Sequence, residues 1–182
     1  MIKKNIFILL LLIIVNSASY AASQKSELAE KYKAINNINN KASLQRGAKY
    51  FVNYCSGCHS LKYMRMSTLA EDLNIEEAVF SQNLLFSNRK IGETMTIPMS
   101  ESDAIFWFNA IPPDLSLTAR SKGPDYIYSK LNTYYEDDSS PTGFNNMALP
   151  NTSMPNILAG LQGGQKLELD DKNNPVGFIK IS

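Results

Sequence analysis

Cys55-Ser56-Gly57-Cys58-His59 decides how this chain is read. Two thiols three residues apart on a helical turn lie on one face. Each S–H can add across one vinyl group of a porphyrin, leaving a thioether. The histidine directly after the second thiol is then delivered to the iron, so CxxCH points to covalently bound haem c. His59 is the single histidine of the 182 residues, and Cys55 and Cys58 are the two cysteines. A structural zinc site wants four Cys or His ligands, and the chain holds three. A thioredoxin-like dithiol usually follows a buried strand, whereas these cysteines follow a helical pattern. A plain disulfide leaves the adjacent histidine unexplained.

Upstream of the motif, Leu44, Ala48, Phe51, Val52 and Cys55 recur at helical spacing. One amphipathic stripe therefore ends on the first thiol. Further along, Asn74 with Glu77 resembles a capping pair. It opens a predicted helix whose Ile75, Ala78, Val79, Leu85 and Phe86 share a face. Ser100 with Asp103 repeats the signal before Ala104, Trp107, Phe108 and Ile111. Gly123-Pro124 introduces Ile127, Leu131 and Tyr134. Alternation is confined to Thr94–Met99 and to the C-terminal stretch. The pattern predicts a mainly α domain.

The N-terminus predicts export. Lys3 and Lys4 precede ten unbroken apolar residues, Ile6 to Val15, and Ser19-Tyr20-Ala21 offers small residues for cleavage. Ten residues are too few to span a bilayer, which takes about 20. Residues 1–21 read as a signal peptide, 22–41 as a flexible polar leader turning helical near Leu28, and 42–182 as one domain. Removing 1–21 takes away two lysines and no acids, so the net charge falls from +1 to −1. Nucleic-acid binding would show as a basic patch, and none is present.

A haem iron held by His59 has a second face. The mature methionines are Met64, Met66, Met95, Met99, Met147 and Met154. Met64 and Met66 follow His59 too closely to cross the ring. Met95 and Met99 flank Pro98 and suit core gap-filling. Met147 and Met154 lie in the Pro-, Asn- and Ser-rich stretch 137–156, where Pro141, Gly143, Pro150 and Pro155 forbid regular helix. A long irregular loop in a compact domain tends to be functional. On the residues alone both methionines stay open, with Met154 favoured because Pro155 stiffens the backbone beside it. A thioether favours ferrous iron, so such ligation predicts a high potential.

Several blocks around the motif occur in the order of one family. Gln45-Arg46-Gly47-Ala48 leads to CSGCHSLKY. Trp107-Phe108 is followed by Pro112-Pro113-Asp114-Leu115-Ser116 and Ala119-Arg120. Asp125-Tyr126-Ile127-Tyr128, Pro141-Thr142-Gly143-Phe144-Asn145-Asn146 and Met154-Pro155 complete the set. Together they closely resemble the cytochrome c1 family, proteobacterial branch, over residues 26 to 166. The resemblance implies a cytochrome-c-like helical fold with long irregular loops around one covalent haem c. It implies that His59 and Met154 are the axial ligands and that Met147 is packing. Arg120 and Tyr126 would then lie beside a propionate, and Pro112 and Pro113 would wall the haem edge.

The family's role implies an electron-transfer subunit of the ubiquinol–cytochrome c reductase (bc1) complex on the periplasmic face of the inner membrane. It would be a non-catalytic subunit, alongside cytochrome b. It would accept an electron from the Rieske iron–sulfur protein and pass it to a cytochrome c. The alternatives are a soluble periplasmic c-type shuttle and a haem enzyme or gas sensor with an open iron position. Glu136, Asp137 and Asp138, with Glu168, Asp170 and Asp171, are candidates for steering a basic partner. Family members end in a further helix and a membrane anchor. This sequence stops at Gly177-Phe178-Ile179-Lys180-Ile181-Ser182, so beside the family it reads either as an incomplete sequence, the favoured reading, or as a natural variant without its anchor.

Overall fold

A computed structural model describes residues 27–86 and 88–181. The expected signal peptide, 1–21, lies outside them. Helices α1 (Glu27–Glu30), α2 (Lys41–Tyr50), α3 (Met66–Asp72), α4 (Glu77–Asn83), α5 (Glu101–Phe108), α6 (Thr118–Lys122), α7 (Pro124–Asn132) and α8 (Ala159–Gln162) alternate with three antiparallel ribbons. The ribbons pair β1 (Leu61–Arg65) with β2 (Thr94–Met95), β3 (Tyr134–Glu136) with β4 (Phe144–Asn146), and β5 (Gln165–Leu169) with β6 (Pro175–Lys180). The expectation of a mainly α domain therefore holds only in part. The helices are short, and the ribbons brace the loops between them. No helix among the described residues is long and apolar enough to cross a membrane.

The stripe read from Leu44 to Cys55 is one continuous helical stretch with a change of pitch. α2 runs to Tyr50, and a π-helical turn carries Phe51–Cys55. Val52 from that turn is buried with Met66, Ala70, Phe80 and Met95 to form the apolar core. Leu61, Met64 and Ile91 pack against it. Met66 and Met95 are thus core fillers.

Two sequence readings are corrected here. Asn74 does not cap α4; it sits at φ 53, in the left-handed region, just past α3, and Glu76 is the N-cap residue. Asn tolerates that conformation better than most side chains, so the same residue marks a helix end rather than a beginning. α4 stops at Asn83, which leaves Leu85 and Phe86 outside it, and its buried residue is Phe80 rather than exposed Val79. By contrast Ser100 caps α5 as expected, its Oγ accepting from Asp103 N at 3.1 Å. Pro124 occupies the first turn of α7, following Gly123 at φ 84.

A second packed region is polar. Leu28 and Ala29 of α1, inside the stretch expected to be a flexible leader, are buried, and Ser129 Oγ on α7 donates to Ala29 O at 2.8 Å. Around α7 the buried residues include Ser129, Lys130, Thr133, Asn146, Thr152 and Gln165. Asn146, fully buried, is the hub. Its Nδ2 donates to Lys130 O at 2.8 Å, and its Oδ1 accepts from Ala148 N and Leu149 N, both at 3.0 Å. Each buried group left unpaired costs about 1–3 kcal/mol. Asn146→Ala leaves the buried Lys130 O and the part-buried Ala148 and Leu149 N–H groups without this partner, so chemical denaturation should show a loss of about 1–3 kcal/mol. A loss under about 1 kcal/mol would remove Asn146 as the hub.

Candidate haem site

The motif closes the π-helical turn. His59 N donates to Cys55 O at 2.9 Å, Cys58 N to Cys55 O at 3.0 Å, and Ser56 Oγ to Val52 O at 2.7 Å. Such π turns are frequent at functional sites. Both thiols are free and partly buried. Burial pushes both up from their usual range, and in Cys55 the neighbouring Cys58 adds to it. A nucleophilic redox dithiol needs the opposite shift. These cysteines are therefore poor candidates for thiol–disulfide exchange.

The imidazole is oriented by the chain's own backbone. His59 Nδ1 lies 2.8 Å from Pro113 O. A carbonyl only accepts, so Nδ1 carries the proton and Nε2 keeps its lone pair. That tautomer is the one a metal needs, and a bond to the remote nitrogen is the usual way of fixing it. The Pro112–Ser116 segment is laid along the motif by further bonds. Leu115 N donates to Ser60 O at 2.8 Å, Lys62 N to Asp114 Oδ2 at 2.9 Å, and Tyr63 N to Ser116 Oγ at 3.2 Å. For Asp114, desolvation works to raise its pKa, but the bonds from Ser116 and Lys62 outweigh it, so the carboxyl sits below its ordinary range.

Met154 is placed by its backbone. Tyr134 Oη donates to Met154 O at 3.0 Å, and Met154 N donates to Thr152 Oγ1 at 3.3 Å. Met147 N instead donates to Thr133 O at 3.1 Å, extending the β3–β4 ribbon. Lys130 Nζ donates to the same Thr152 Oγ1 at 2.8 Å and lies 4.6 Å from the centroid of the Tyr134 ring. Burial pulls the Lys130 ammonium down to about 8, so it remains mostly protonated at neutral pH. The Tyr134 phenol is pushed far up by burial, opposed by a bond with Thr152 and aided by nearby Tyr126.

Among the expected site residues, Pro113 is brought onto His59, and Tyr126 is brought near Tyr134 and so toward the Met154 loop. Arg120 is exposed on α6, and Lys122 Nζ stands 5.9 Å over the Tyr126 ring. No hydrogen bond joins Arg120 to His59 or Met154 among the described residues. Lys130 and Thr152 were missed, because a lone lysine and a loop threonine read as solvated surface.

The donor set fits a haem. Two protonated thiols share one turn, one imidazole has the right tautomer, and exposed apolar side chains flank both chain segments. Ile105, Trp107 and Ile111 precede the Pro112-Pro113 block, and Leu149, Ile157 and Leu161 flank Met154. Exposed apolar side chains near both segments suit the wall of a porphyrin site.

Fold and site together define a c-type cytochrome. The profile of the Cytochrome C1 family matches residues 31–171. A cytochrome c1 from Allochromatium vinosum is 48% identical over 140 residues, covering 77% of this chain and 57% of that protein. The ammonia monooxygenase gamma subunit of Nitrosomonas europaea is 37% identical over 162 residues, covering 89% of this chain and 68% of that protein. A cytochrome c1 from Rhodospirillum rubrum is 34% identical over 113 residues, 52% of this chain and 41% of its own. The chain belongs to the cytochrome c1 family, which carries covalently bound haem c, and Cys55 and Cys58 stand in its attachment motif. It spans 57% of the first of these relatives and 68% of the second.

Proposed function

We propose that the chain is the haem-bearing electron-transfer subunit of a ubiquinol–cytochrome c reductase complex, taking one electron from a Rieske protein and giving it to a cytochrome c. The observation that carries the reading is His59, tautomer set by Pro113, inside a CxxCH turn of a cytochrome c1 family member. Haem c supplies one-electron chemistry when bound. Cys55 and Cys58 would hold it, His59 Nε2 and the Met154 sulfur would ligate its iron, and Pro112, Pro113, Arg120 and Tyr126 would border it. Two protein ligands on the iron would leave no site there for a substrate, which suits electron transfer. The protein's work is then to fix potential and present an edge. Export across the inner membrane and placement on its periplasmic face belong to the same reading, as do the domain limits 1–21, 22–41 and 42–182.

Affinity isolation of the natural protein from membranes tests this. Cytochrome b and the Rieske protein should come with it. Recovery of the haem protein free of both supports the shuttle instead. The likeness to the ammonia monooxygenase gamma subunit favours a second reading, a haem subunit of a monooxygenase. In that case the same isolation would yield other partners.

The acidic candidates are not equally free. Glu136 pairs with Lys166 at 3.8 Å, and Asp137 and Asp170 are occupied by turn hydrogen bonds from Ser139, Asn145 and Asn174. Those bonds hold both Asp137 and Asp170 below their ordinary range, so both stay charged. Reversing Asp138 and Asp171 to Lys should flatten the salt dependence of electron transfer to a basic cytochrome c. An unchanged dependence removes these acids from the docking surface.

A further inference from the structure

We propose that Lys130 is a positioning residue for the iron's sulfur ligand: its ammonium pins Thr152, and Thr152 and Tyr134 together pin the backbone of Met154 on both sides. The inference rests on the reading of Met154 as that ligand.

Lys130 lies on α7, 8% exposed. The ion pairs Lys33–Asp125 and Lys166–Glu136 do not include it, and no carboxylate lies within ion-pair distance of it among the described residues. A buried cation without a carboxylate is costly and is retained only where other contacts offset the loss of water. Two contacts do so here, the Thr152 hydroxyl and the face of the Tyr134 ring. Both partners also touch Met154. Thr152 Oγ1 accepts the Met154 N–H, and Tyr134 Oη donates to the Met154 carbonyl.

Met154 needs such a hold. It stands in a stretch without helix, followed by Pro155, and no ladder of backbone bonds fixes it. The lysine stem, rooted in α7, ties that loop to a regular element. An apolar side chain of the same length would fill the space at lower desolvation cost. It would do nothing for Thr152. The charge and the donor are therefore what the position uses.

The test employs the haem-loaded protein and two variants, Lys130→Met and Thr152→Val. Two quantities are read: the weak far-red band of methionine-ligated ferric haem, and the midpoint potential. Each variant should weaken the band. Each should also lower the ferrous-to-ferric ratio at fixed potential at least about tenfold, which is about 59 mV for one electron. The double variant should show no more than the larger single effect, because the two side chains act in series. Thr152→Ser, which keeps the hydroxyl, should restore both signals.

A full band and unchanged potential in Lys130→Met overturn the proposal, as do additive effects in the double variant. A lowered potential with an intact band in both variants assigns Lys130 a charge effect alone and overturns positioning. If Lys130→Met does not accumulate, Thr152→Val, nearly the same shape, decides by the same criteria. Met154→Ala run alongside separates the two readings. Loss of the band there with Lys130→Met silent sinks only the role of Lys130, whereas a band that survives Met154→Ala sinks both.

Discussion

Met154→Ala is expected to abolish the far-red band and to lower the midpoint potential by on the order of a few hundred mV, within the roughly 0.8 V that axial ligands span. The thioether is a soft ligand that favours ferrous iron, so its loss stabilises the ferric form. His59 stays in place because its Nδ1 bond to Pro113 and its seat in the Cys55–His59 turn are independent of the Met154 loop. Haem should therefore remain attached, with one axial position open to water or an added ligand. Met147→Ala should leave band and potential nearly unchanged, since the Met147 backbone belongs to the ribbon beside Thr133 rather than to the Tyr134–Thr152 clamp. The reverse pattern, with Met147→Ala causing the loss and Met154→Ala silent, would reassign the ligand.

What the sequence revealed divides along physical lines. The Cys55–His59 turn was legible because thioether chemistry and iron ligation demand those residue types in that order. The N-cap at Ser100 and the start at Pro124 were legible because capping is a local act of one or two side chains. Asn74 misled because the same polar side chain that caps a helix also tolerates the left-handed turn that ends one. The helical face of α4 misled because seven residues are too few to average out one misplaced apolar group, and Phe80 alone is buried there. The β3–β4 ribbon escaped for a related reason. β3 and β4 have three residues each, too short for alternation to register, whereas the alternation noted at Thr94–Met99 and near the C-terminus falls on β2 and β6. Lys130, Asn146 and Thr152 were illegible because a polar residue advertises exposure, and their burial follows only from partners brought in from distant chain positions. Of the site, the half next to the motif could be read directly. Around Met154, itself favoured from the sequence, the partners Tyr134 and Thr152 needed the fold, since they act through the backbone.

The second large effect concerns attachment itself. With Cys55 and Cys58 both replaced by Ala, no pigment should remain with the polypeptide after extraction into acidic acetone, whereas the unaltered protein should keep all of it. Acidic acetone breaks the bonds between protein and iron, and the organic solvent removes the hydrophobic hold on the ring. Only a carbon–sulfur bond survives both. Each single replacement leaves one such bond, so each should retain pigment on the chain in reduced yield. The thiols themselves contribute little to the apolar core, since Cys55 and Cys58 are only partly buried and Val52 of the same turn supplies the buried contact. The double variant should consequently keep its helical circular dichroism while losing colour, which separates a failure of attachment from a failure to fold. Colour that stays on the double variant through the extraction, or leaves the unaltered chain, would show that the two sulfurs do not carry the haem.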